Sequence, residues 1–429
     1  MLIGIDASRA NKKHKTGTEW YSYYLIRWLA KLDNKNQYIL YSDTPLTGGL
    51  LDLGTPQYFP NSGCYEKIEF DQNGYQIVKS PNNNFKAKVL NWPFSFFWTQ
   101  GRLSLEMVWH RPDILFIPSH TLPIIHPKKS VATIHDVAFE SDQNIYQQEK
   151  VNEGAAKNYD FIINALVFLF TLGKYRANNI DYLRWSTKFG LKHAKKVITV
   201  SNYSKNDLIK WYRIDDKKLK VIYNGYNSFI FKKNDDQAAV DKILVKYGIN
   251  DPYLFYVGRI EKKKNIPKLI EAFSLLKQAH KDQNHKLVLA GKASYGYDEV
   301  TYSIQEFGLA GDIIMTGWVE ENDLPYLFSG ATAFVFPSCY EGFGIPLLQA
   351  MACGTPIITS CSTSIPEVVG EAALLTNPLS AKSMSDAMAK IINEADLRER
   401  LIEAGQERIK SFSWQKCAEE TLKLLNSLV

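Results

Sequence analysis

Short apolar runs recur along this chain, separated by longer stretches whose apolar residues return every three or four positions. In the first half the runs fall at residues 2–6, 38–42, 114–118, 131–135 and 197–201, with 221–223 as a further candidate, and each reads as a strand. From Thr18 onward, Tyr21, Leu25, Trp28 (or Leu29) and Leu32 share one face, the spacing of an amphipathic helix. Strands that alternate with helices predict a parallel sheet covered on both faces. Residues 44–110 are less regular, rich in Asn, Pro and aromatics. Residues 140–192 form a long insertion, mostly helical in pattern, that carries Tyr182, Arg184 and Trp185.

Asn224-Gly225 is a turn signal, and residues 225–235 turn polar, as a crossing between domains would. The alternation then restarts, with strands expected at 254–257, 287–290, 313–316, 333–336, 357–359 and 373–376. Between residues 265 and 280, Ile266, Leu269, Ile270, Phe273 and Leu276 form one stripe, and residues 414–428 read as a terminal helix. At 429 residues the chain exceeds one ordinary core. The expected organisation is a domain over 1–225 with a helical insertion at about 140–192, a second over 226–412, and a closing helix at 413–429 that packs back toward the first. Two doubly wound, Rossmann-like domains facing each other leave a cleft. Ligands of such sheets sit outside the carboxyl ends of the strands, so the chemistry is sought there.

The most informative strand end is Phe334-Val-Phe-Pro-Ser-Cys-Tyr-Glu-Gly-Phe-Gly-Ile-Pro346, continuing to Gly354. It reads as strand, glycine loop and short helix. Pro346 suits a first helical turn and Gly354 a helix stop. The loop would aim backbone N–H groups and the positive end of a helix dipole at one point, which suits a phosphate or an oxygen-rich sugar. Glu341 in the loop and Gln349 in the helix can grip hydroxyls from two sides. The 254–257 strand runs into Gly258-Arg259 and on to Lys264-Asn265. Arg259 offers a planar fork for phosphate oxygens and Lys264 a point charge, while Lys262 and Lys263 read as solvated. The 131–135 strand ends in His135-Asp136. A lone histidine is more often structural, but this place favours an imidazole that hydrogen-bonds a substrate hydroxyl. Asp136 either orients it or caps the next segment. His110, His120 and His126 have no such setting and read as structural. Near the N-terminus, the basic stretch from Arg9 to Lys15 leads to Gly17, which would let the backbone approach an anion closely. The plainer alternative is a loop with a helix N-cap at Thr18.

Composition narrows the classes. Apolar residues make up 45% and charged residues 22%, which argues against disorder. The net charge of +6 suits an anionic ligand or membrane surface and does not by itself suggest nucleic acid. The five cysteines, at 64, 339, 353, 361 and 417, contain no Cys-x-x-Cys pair; reduced thiols in a cytosolic protein without structural zinc are expected. There is no Asp-x-Asp pair and no carboxylate cluster suited to a metal. Arg, Lys and helix N-termini would then meet the charge of a leaving diphosphate. The first strand is not followed by Gly-x-Gly-x-x-Gly, and no Walker loop occurs, which argues against nicotinamide and P-loop chemistry. The N-terminus reads as a buried strand and not as a signal peptide. No apolar run approaches 18 residues. The nearest, 161–172, is either a packed helix or a helix lying in the membrane interface, and the aromatic stretch 89–98 poses the same choice.

Together these residues resemble the retaining GT-B glycosyltransferases of family 4, the group 1 glycosyltransferases. The likeness runs through Thr133-Ile-His-Asp136, Val197-Ile-Thr-Val-Ser201, Val221-Ile-Tyr-Asn-Gly225, Val257-Gly-Arg259 with Lys264-Asn265, Pro337-Ser338, Tyr340-Glu-Gly-Phe-Gly-Ile-Pro346, Ala350-Met-Ala352 with Gly354-Thr-Pro356, and Pro366-Glu367. It covers most of the chain and is weak over 44–110 and 140–192. The resemblance implies an α/β, GT-B fold and transfer of a sugar from a nucleotide diphosphate sugar with retained configuration. That donor is a co-substrate; no cofactor and no metal are implied. Carried over, Arg259 and Lys264 hold the diphosphate, with Gly17 near it. Glu341 binds donor-sugar hydroxyls, the backbone of Phe343, Gly344 and Ile345 contacts sugar and phosphate, and His135 lies near the donor sugar. Trp318 or Val319 lies near the base. The family pattern is Glu, seven residues, Glu; this chain has Gln349 at the second place, where the family's carboxylate grips the ribose. An amide keeps hydrogen bonds to a diol but carries no charge, so weaker nucleotide binding is expected there.

The expected protein is thus a cytoplasmic hexosyltransferase of surface polysaccharide or lipid-linked glycan synthesis, peripheral on the inner face of the plasma membrane. GDP-mannose is the first choice of donor from overall resemblance to bacterial mannosyltransferases. The alternatives are a UDP-sugar-dependent enzyme of the same fold, or a non-catalytic sugar-nucleotide-binding assembly partner.

Overall fold

The apolar runs assemble into two separate sheets, each belonging to its own unit. A computed structural model describes residues 1–55, 67–93, 97–141, 179–294 and 296–428. Cys64, the 161–172 run, residues 94–96 of the aromatic stretch and most of the 140–192 insertion lie outside the described residues. Unit 1 comprises Met1–Tyr223 with Trp414–Val429, and unit 2 comprises Asn224–Ser413.

In unit 1 the strands are β1 (Leu2–Asp6), β2 (Gln37–Ser42), β3 (Gln76–Ile77), β4 (Phe85–Val89), β5 (Ile114–Ile117), β6 (Ser130–Ile134), β7 (Lys196–Thr199) and β8 (Leu219–Val221). Their order across the sheet is β3-β4-β2-β1-β5-β6-β7-β8. All pairs are parallel except β3 with β4, so the sheet is mixed at one edge. Periodicity missed β3 and β4. In β4, Lys86 and Lys88 alternate with Phe85, Ala87 and Val89, and Phe85 and Ala87 are buried; so short and half-polar a run gives a weak signal. The strand order reverses between β1 and β5, which marks a topological switch point.

The first helix, Gly17–Leu32, begins one residue before the expected Thr18. Its N-cap is Thr16, whose backbone N–H donates to the Glu19 carboxylate at 3.1 Å and whose hydroxyl donates to the same oxygen. Thr18 is therefore inside the helix, and Thr16 with Glu19 is the capping pair. Tyr21, Leu25 and Leu29 are fully buried beneath it. The closing helix, Trp414–Asn426, docks on this same helix. Trp20, Tyr24 and Trp414 stack in series at 5.3 and 5.5 Å, and Asn36 donates to the Asn426 side chain at 3.1 Å.

Unit 2 holds β9 (Tyr253–Val257), β10 (Lys286–Ala290), β11 (Ile313–Gly317), β12 (Ala333–Phe336), β13 (Ile357–Ser360) and β14 (Ala373–Thr376). They run parallel in the order β11-β10-β9-β12-β13-β14. The switch point lies between β9 and β12. Both strands are buried on both faces: Leu254, Phe255, Phe334 and Val335 are fully inaccessible, and Phe255 packs edge-on against Phe328 at 5.1 Å. The helix Ile266–Ala279 covers one face with the expected stripe, all of it buried. No helix among the described residues is long and apolar enough to cross a membrane, and no group of three or more metal-capable side chains occurs among them.

Candidate functional site

At the unit 2 switch point, two loops leave adjacent parallel strands in the same direction. After β9 the chain must turn beside β10, and two glycines allow it. Gly258 has φ +154°, and a Cβ on Gly291 would stand 1.8 Å from the Gly258 carbonyl oxygen. The Gly258 N–H donates to Ala290 at 3.0 Å. The chain then forms a tight turn over Lys262–Lys264 and enters the next helix through Asn265 in the left-handed conformation. The Asn265 amide donates to the carbonyls of Pro337 and Pro378, at 3.2 and 2.7 Å, which ties this turn to the loop after β12.

That tie sets Lys264 against Glu341. Lys264 Nζ lies 2.5 Å from Glu341 Oε1, with both side chains largely covered, at 14% and 12% exposure. The ammonium also lies over the Phe336 ring at 5.5 Å. Arg259, about half exposed, is held at 3.0 Å by Glu261, which is itself buried. Lys262 is solvated and meets Glu299. Lys263 was expected to be solvated as well, but its side chain is mostly covered, and its carbonyl accepts from the Cys339 N–H and the Ser338 hydroxyl. Beneath the ion pair, the Tyr256 hydroxyl donates to the Arg259 carbonyl. Burial, then the neighbouring Glu341 and Glu261 carboxylates, raises its pKa well above the ordinary tyrosine value, so it stays neutral.

Glu341 is also fixed from its other side. Its N–H donates to Thr363 Oγ1 at 3.1 Å, and its carbonyl accepts from the Ser364 hydroxyl at 2.9 Å. Thr363 has φ +57°, an unusual conformation for a β-branched residue. One strand lower, the Ser360 hydroxyl donates to the Ser338 carbonyl at 2.6 Å. The loop then enters the helix Ile345–Ala352 through Gly344, at φ +96°, with Pro346 in its first turn. Phe343 is buried and packs edge-on against Phe412 at 5.7 Å, so its side chain turns into the unit. Gln349 is half-buried in this helix. Trp318 and Val319 follow β11, two strands beyond β9. Val319 is buried, and Lys292 Nζ lies 5.3 Å from the Trp318 ring centre.

In unit 1, His135 comes one residue after β6 rather than within it. Its Nε2 donates to the Pro118 carbonyl at 3.1 Å, which leaves Nδ1 as the acceptor of the neutral ring. Tyr21 packs edge-on against it at 4.8 Å. Burial, reinforced by the nearby His120, pulls its pKa down to about 4. Asp136 Oδ1 accepts from the Ala138 N–H at 3.2 Å and so caps the following turn; the His135 ring is oriented by Pro118. His120, read from sequence as unconnected, stands beside His135 with ring centres 6.4 Å apart, and its Nε2 donates to the Asp136 carbonyl at 2.7 Å. Gly17 opens the first helix without a left-handed φ, and a Cβ there would meet nothing within 4 Å.

The structure therefore brings Arg259, Lys264 and Glu341 to one switch point, with Gly344 and Ile345 at the helix entry beside them. His135 and Gly17 belong to unit 1. Sequence reading missed Thr363, Ser364 and Glu261, which hold the predicted residues in place. For Thr363 and Ser364 the local signal is the polar Ser362-Thr363-Ser364 run just after β13.

Residues 15–228 match the family described as Glycosyltransferase Family 4, and residues 244–408 match that described as Glycosyl transferases group 1. The chain is 29% identical over 327 residues to O-antigen chain mannosyltransferase B of Escherichia coli, spanning 75% of this chain and 82% of that protein. It is 27% identical over 330 residues to O-antigen chain mannosyltransferase RfbU of Salmonella typhimurium, spanning 75% and 78%. Among solved structures, sucrose-phosphate synthase from Thermosynechococcus elongatus matches with a TM-score of 0.70 at 18% identity, over 100% of this chain and 98% of that one. At that identity the likeness concerns the fold.

Proposed function

The chain belongs to the family 4, group 1 glycosyltransferases of GT-B fold, and from that premise we propose that it is a retaining, metal-independent hexosyltransferase of cell-surface glycan synthesis. Mannose from GDP-mannose is the proposed donor, supported by the two relatives named as O-antigen chain mannosyltransferases. The acceptor is a hydroxyl of a lipid-linked or polysaccharide glycan.

The observation that carries this reading is the Lys264–Glu341 pair at the unit 2 switch point. A sugar nucleotide presents an anionic diphosphate next to a neutral ring of hydroxyls. A cation and a carboxylate side by side match that juxtaposition, because the ammonium meets phosphate oxygen while the carboxylate accepts from sugar hydroxyls. Arg259 adds a second phosphate contact, and the N–H groups at Gly344 and Ile345 serve the same charge from the helix entry. In the strand order β11-β10-β9-β12 the ends of β11 and β12 are three strand spacings apart, about 14 Å, a span suited to a sugar nucleotide. We assign the sugar to the β12 end, the diphosphate to β9 and the base to β11, with Gln349 on the ribose. In unit 1, Gly17 suits close backbone approach by a phosphate, since among the described residues nothing lies within 4 Å of where its Cβ would stand. His135 is assigned as a neutral ring whose Nδ1 accepts from a donor-sugar hydroxyl.

In the proposed reaction the bond from the anomeric carbon to the diphosphate breaks. The acceptor oxygen bonds to the same face, and the acceptor proton passes to the departing phosphate oxygen. Arg259 and Lys264 stabilise the charge that develops there.

The test is incubation with labelled GDP-mannose, UDP-glucose, UDP-galactose and UDP-N-acetylglucosamine and a lipid-linked acceptor, with melting temperature recorded for each donor, since only native-state binding raises it. Transfer or donor hydrolysis with GDP-mannose supports the reading, and turnover of a UDP-sugar alone moves the donor to that class. Tight binding with no turnover of any donor would instead favour a sugar-nucleotide-binding assembly partner, a reading that Gln349 motivates.

A further inference from the structure

The loop that carries Glu341 and the segment after β13 travel side by side beyond the end of the sheet. Thr359 Oγ1 donates to the Phe336 carbonyl at 2.8 Å, the Ser360 hydroxyl to the Ser338 carbonyl at 2.6 Å, and the Glu341 N–H to Thr363 Oγ1 at 3.1 Å. The partners in each tie are 22 or 23 residues apart in sequence. Cys339 and Cys361 are also 22 apart and fall between the second and third ties, so they stand at one level of the two segments. Burial places them on one face as well. Ser338 and Ser360 are fully buried, whereas Cys339 is partly exposed and Cys361 is exposed. Alternation along each segment therefore turns both serines inward and both cysteines outward. Both cysteines are thiols in this structure.

Neighbouring strands lie about 4.8 Å apart, within the range of about 4.4–6.8 Å between Cα atoms that a disulfide spans. Its Cβ atoms stand about 3.8 Å apart, so closing a bridge here would draw the two segments together by about 1 Å. Cys339 precedes Glu341 by two residues, and its N–H is held at 3.1 Å by the carbonyl of Lys263, next to Lys264. Cys361 precedes Thr363 by two residues. The bridge would thus act on both members of the Lys264–Glu341 pair and on the hydroxyl that fixes the Glu341 backbone. A displacement of about 1 Å in a catalytic arrangement costs about a hundredfold in rate. Cys353 and Cys417 are buried, and burial pushes both thiols up, which leaves them inert.

We propose that Cys339 and Cys361 form a thiol–disulfide modification site whose closure switches the Glu341 loop off. A small disulfide such as glutathione disulfide is the oxidant. The Cys361 thiolate attacks one of its sulfurs, the S–S bond breaks, a mixed disulfide forms, and one glutathione leaves as thiolate and takes up the proton that Cys361 lost. The Cys339 thiolate then attacks the Cys361 sulfur and expels the second glutathione, which takes up the Cys339 proton. Two protein thiols are oxidised by two electrons, and one glutathione disulfide is reduced to two thiols. Excess thiol reverses both steps.

The bridge does not depend on the assigned activity, whereas its effect on transfer rests on the proposed function. The test incubates the full chain with millimolar glutathione disulfide, then digests it without reduction and maps the peptides by mass. Parallel samples are assayed for donor turnover and for the rise in melting temperature caused by GDP, before and after dithiothreitol. The expected result is a peptide pair joined through Cys339 and Cys361, turnover lowered about a hundredfold, and recovery with dithiothreitol. Cys361→Ser should keep the turnover of the reduced protein and lose the response. Cys339→Ser should stop at the mixed disulfide, seen as one added glutathione. Absence of the joined peptides, or a bridge from either residue to another cysteine, would overturn the proposal. So would a mapped bridge that leaves turnover and the GDP-induced shift unchanged, or inactivation that persists in Cys361→Ser. A reduced chain that turns over no donor would sink the proposed function alone, since the peptide map and the GDP-induced shift still decide the switch.

Discussion

If Lys264 and Glu341 serve a ligand as well as each other, their effects on stability and on transfer should separate. In the structure the two charges are 2.5 Å apart and mostly covered. Removing either partner leaves a poorly hydrated charge uncompensated, which costs about 3 kcal/mol. Unit 2 spans Asn224–Ser413; for a domain of that size the loss corresponds to a drop of roughly 6–12 °C in Tm. Lys264→Ala and Glu341→Ala should each show it. The double variant, with neither charge left, should recover most of the loss, giving a coupling energy of about 2 kcal/mol or more. Transfer should behave otherwise: each single variant and the double variant should all lack measurable turnover, because the ligand needs both groups. The assay is a thermal-denaturation cycle on the four proteins beside donor turnover. Additive Tm losses would refute the coupling drawn from the geometry. Turnover restored in the double variant would refute the ligand role.

Other outcomes follow from single positions. His135 has a folded pKa near 4 against an unfolded value of 6.5, so the unfolded chain takes up a proton first as pH falls. Its neutral burial favours folding fully above pH 6.5, and that contribution declines by about 3 kcal/mol between pH 6.5 and 4; His135→Asn should flatten the pH dependence of unit 1 unfolding in that window, and an unchanged profile would count against the buried neutral ring. Gly291→Ala should destabilise unit 2 by about 3 kcal/mol or more, since its Cβ would overlap the Gly258 carbonyl at φ +147°; a loss under about 1 kcal/mol in urea titration would show that the strand ends are not so closely apposed. Thr363→Val removes the hydroxyl that accepts from the Glu341 N–H, while Thr363→Ser keeps it; the first should lower kcat/KM about tenfold and the second should restore it. Gln349→Glu should lower the KM for the donor, and an unchanged KM would place Gln349 away from the ribose.

The local code of this chain was legible because each piece acts over a few residues. Buried parallel strands such as Leu254 to Val257 need continuous apolar runs, helices need a stripe such as Ile266 to Leu276, and turns need particular residues such as Gly344 and Pro346. The strand-end groups Arg259, Lys264 and Glu341 were identifiable because doubly wound sheets expose chemistry at one end only. The β3–β4 edge was not legible, since β3 is only two residues long and β4 buries Phe85 and Ala87 on one face while leaving Lys86 exposed on the other. Nor was His120 beside His135, nor Thr363 beneath Glu341, because those neighbours are 15 and 22 residues apart in sequence and meet only through strand pairing. Sequence determined which residues could do chemistry and where most of the buried strands and the amphipathic helices lie. Tertiary structure decided which of them stand within a hydrogen bond of one another, because contacts between distant segments depend on sheet order, which no local pattern encodes.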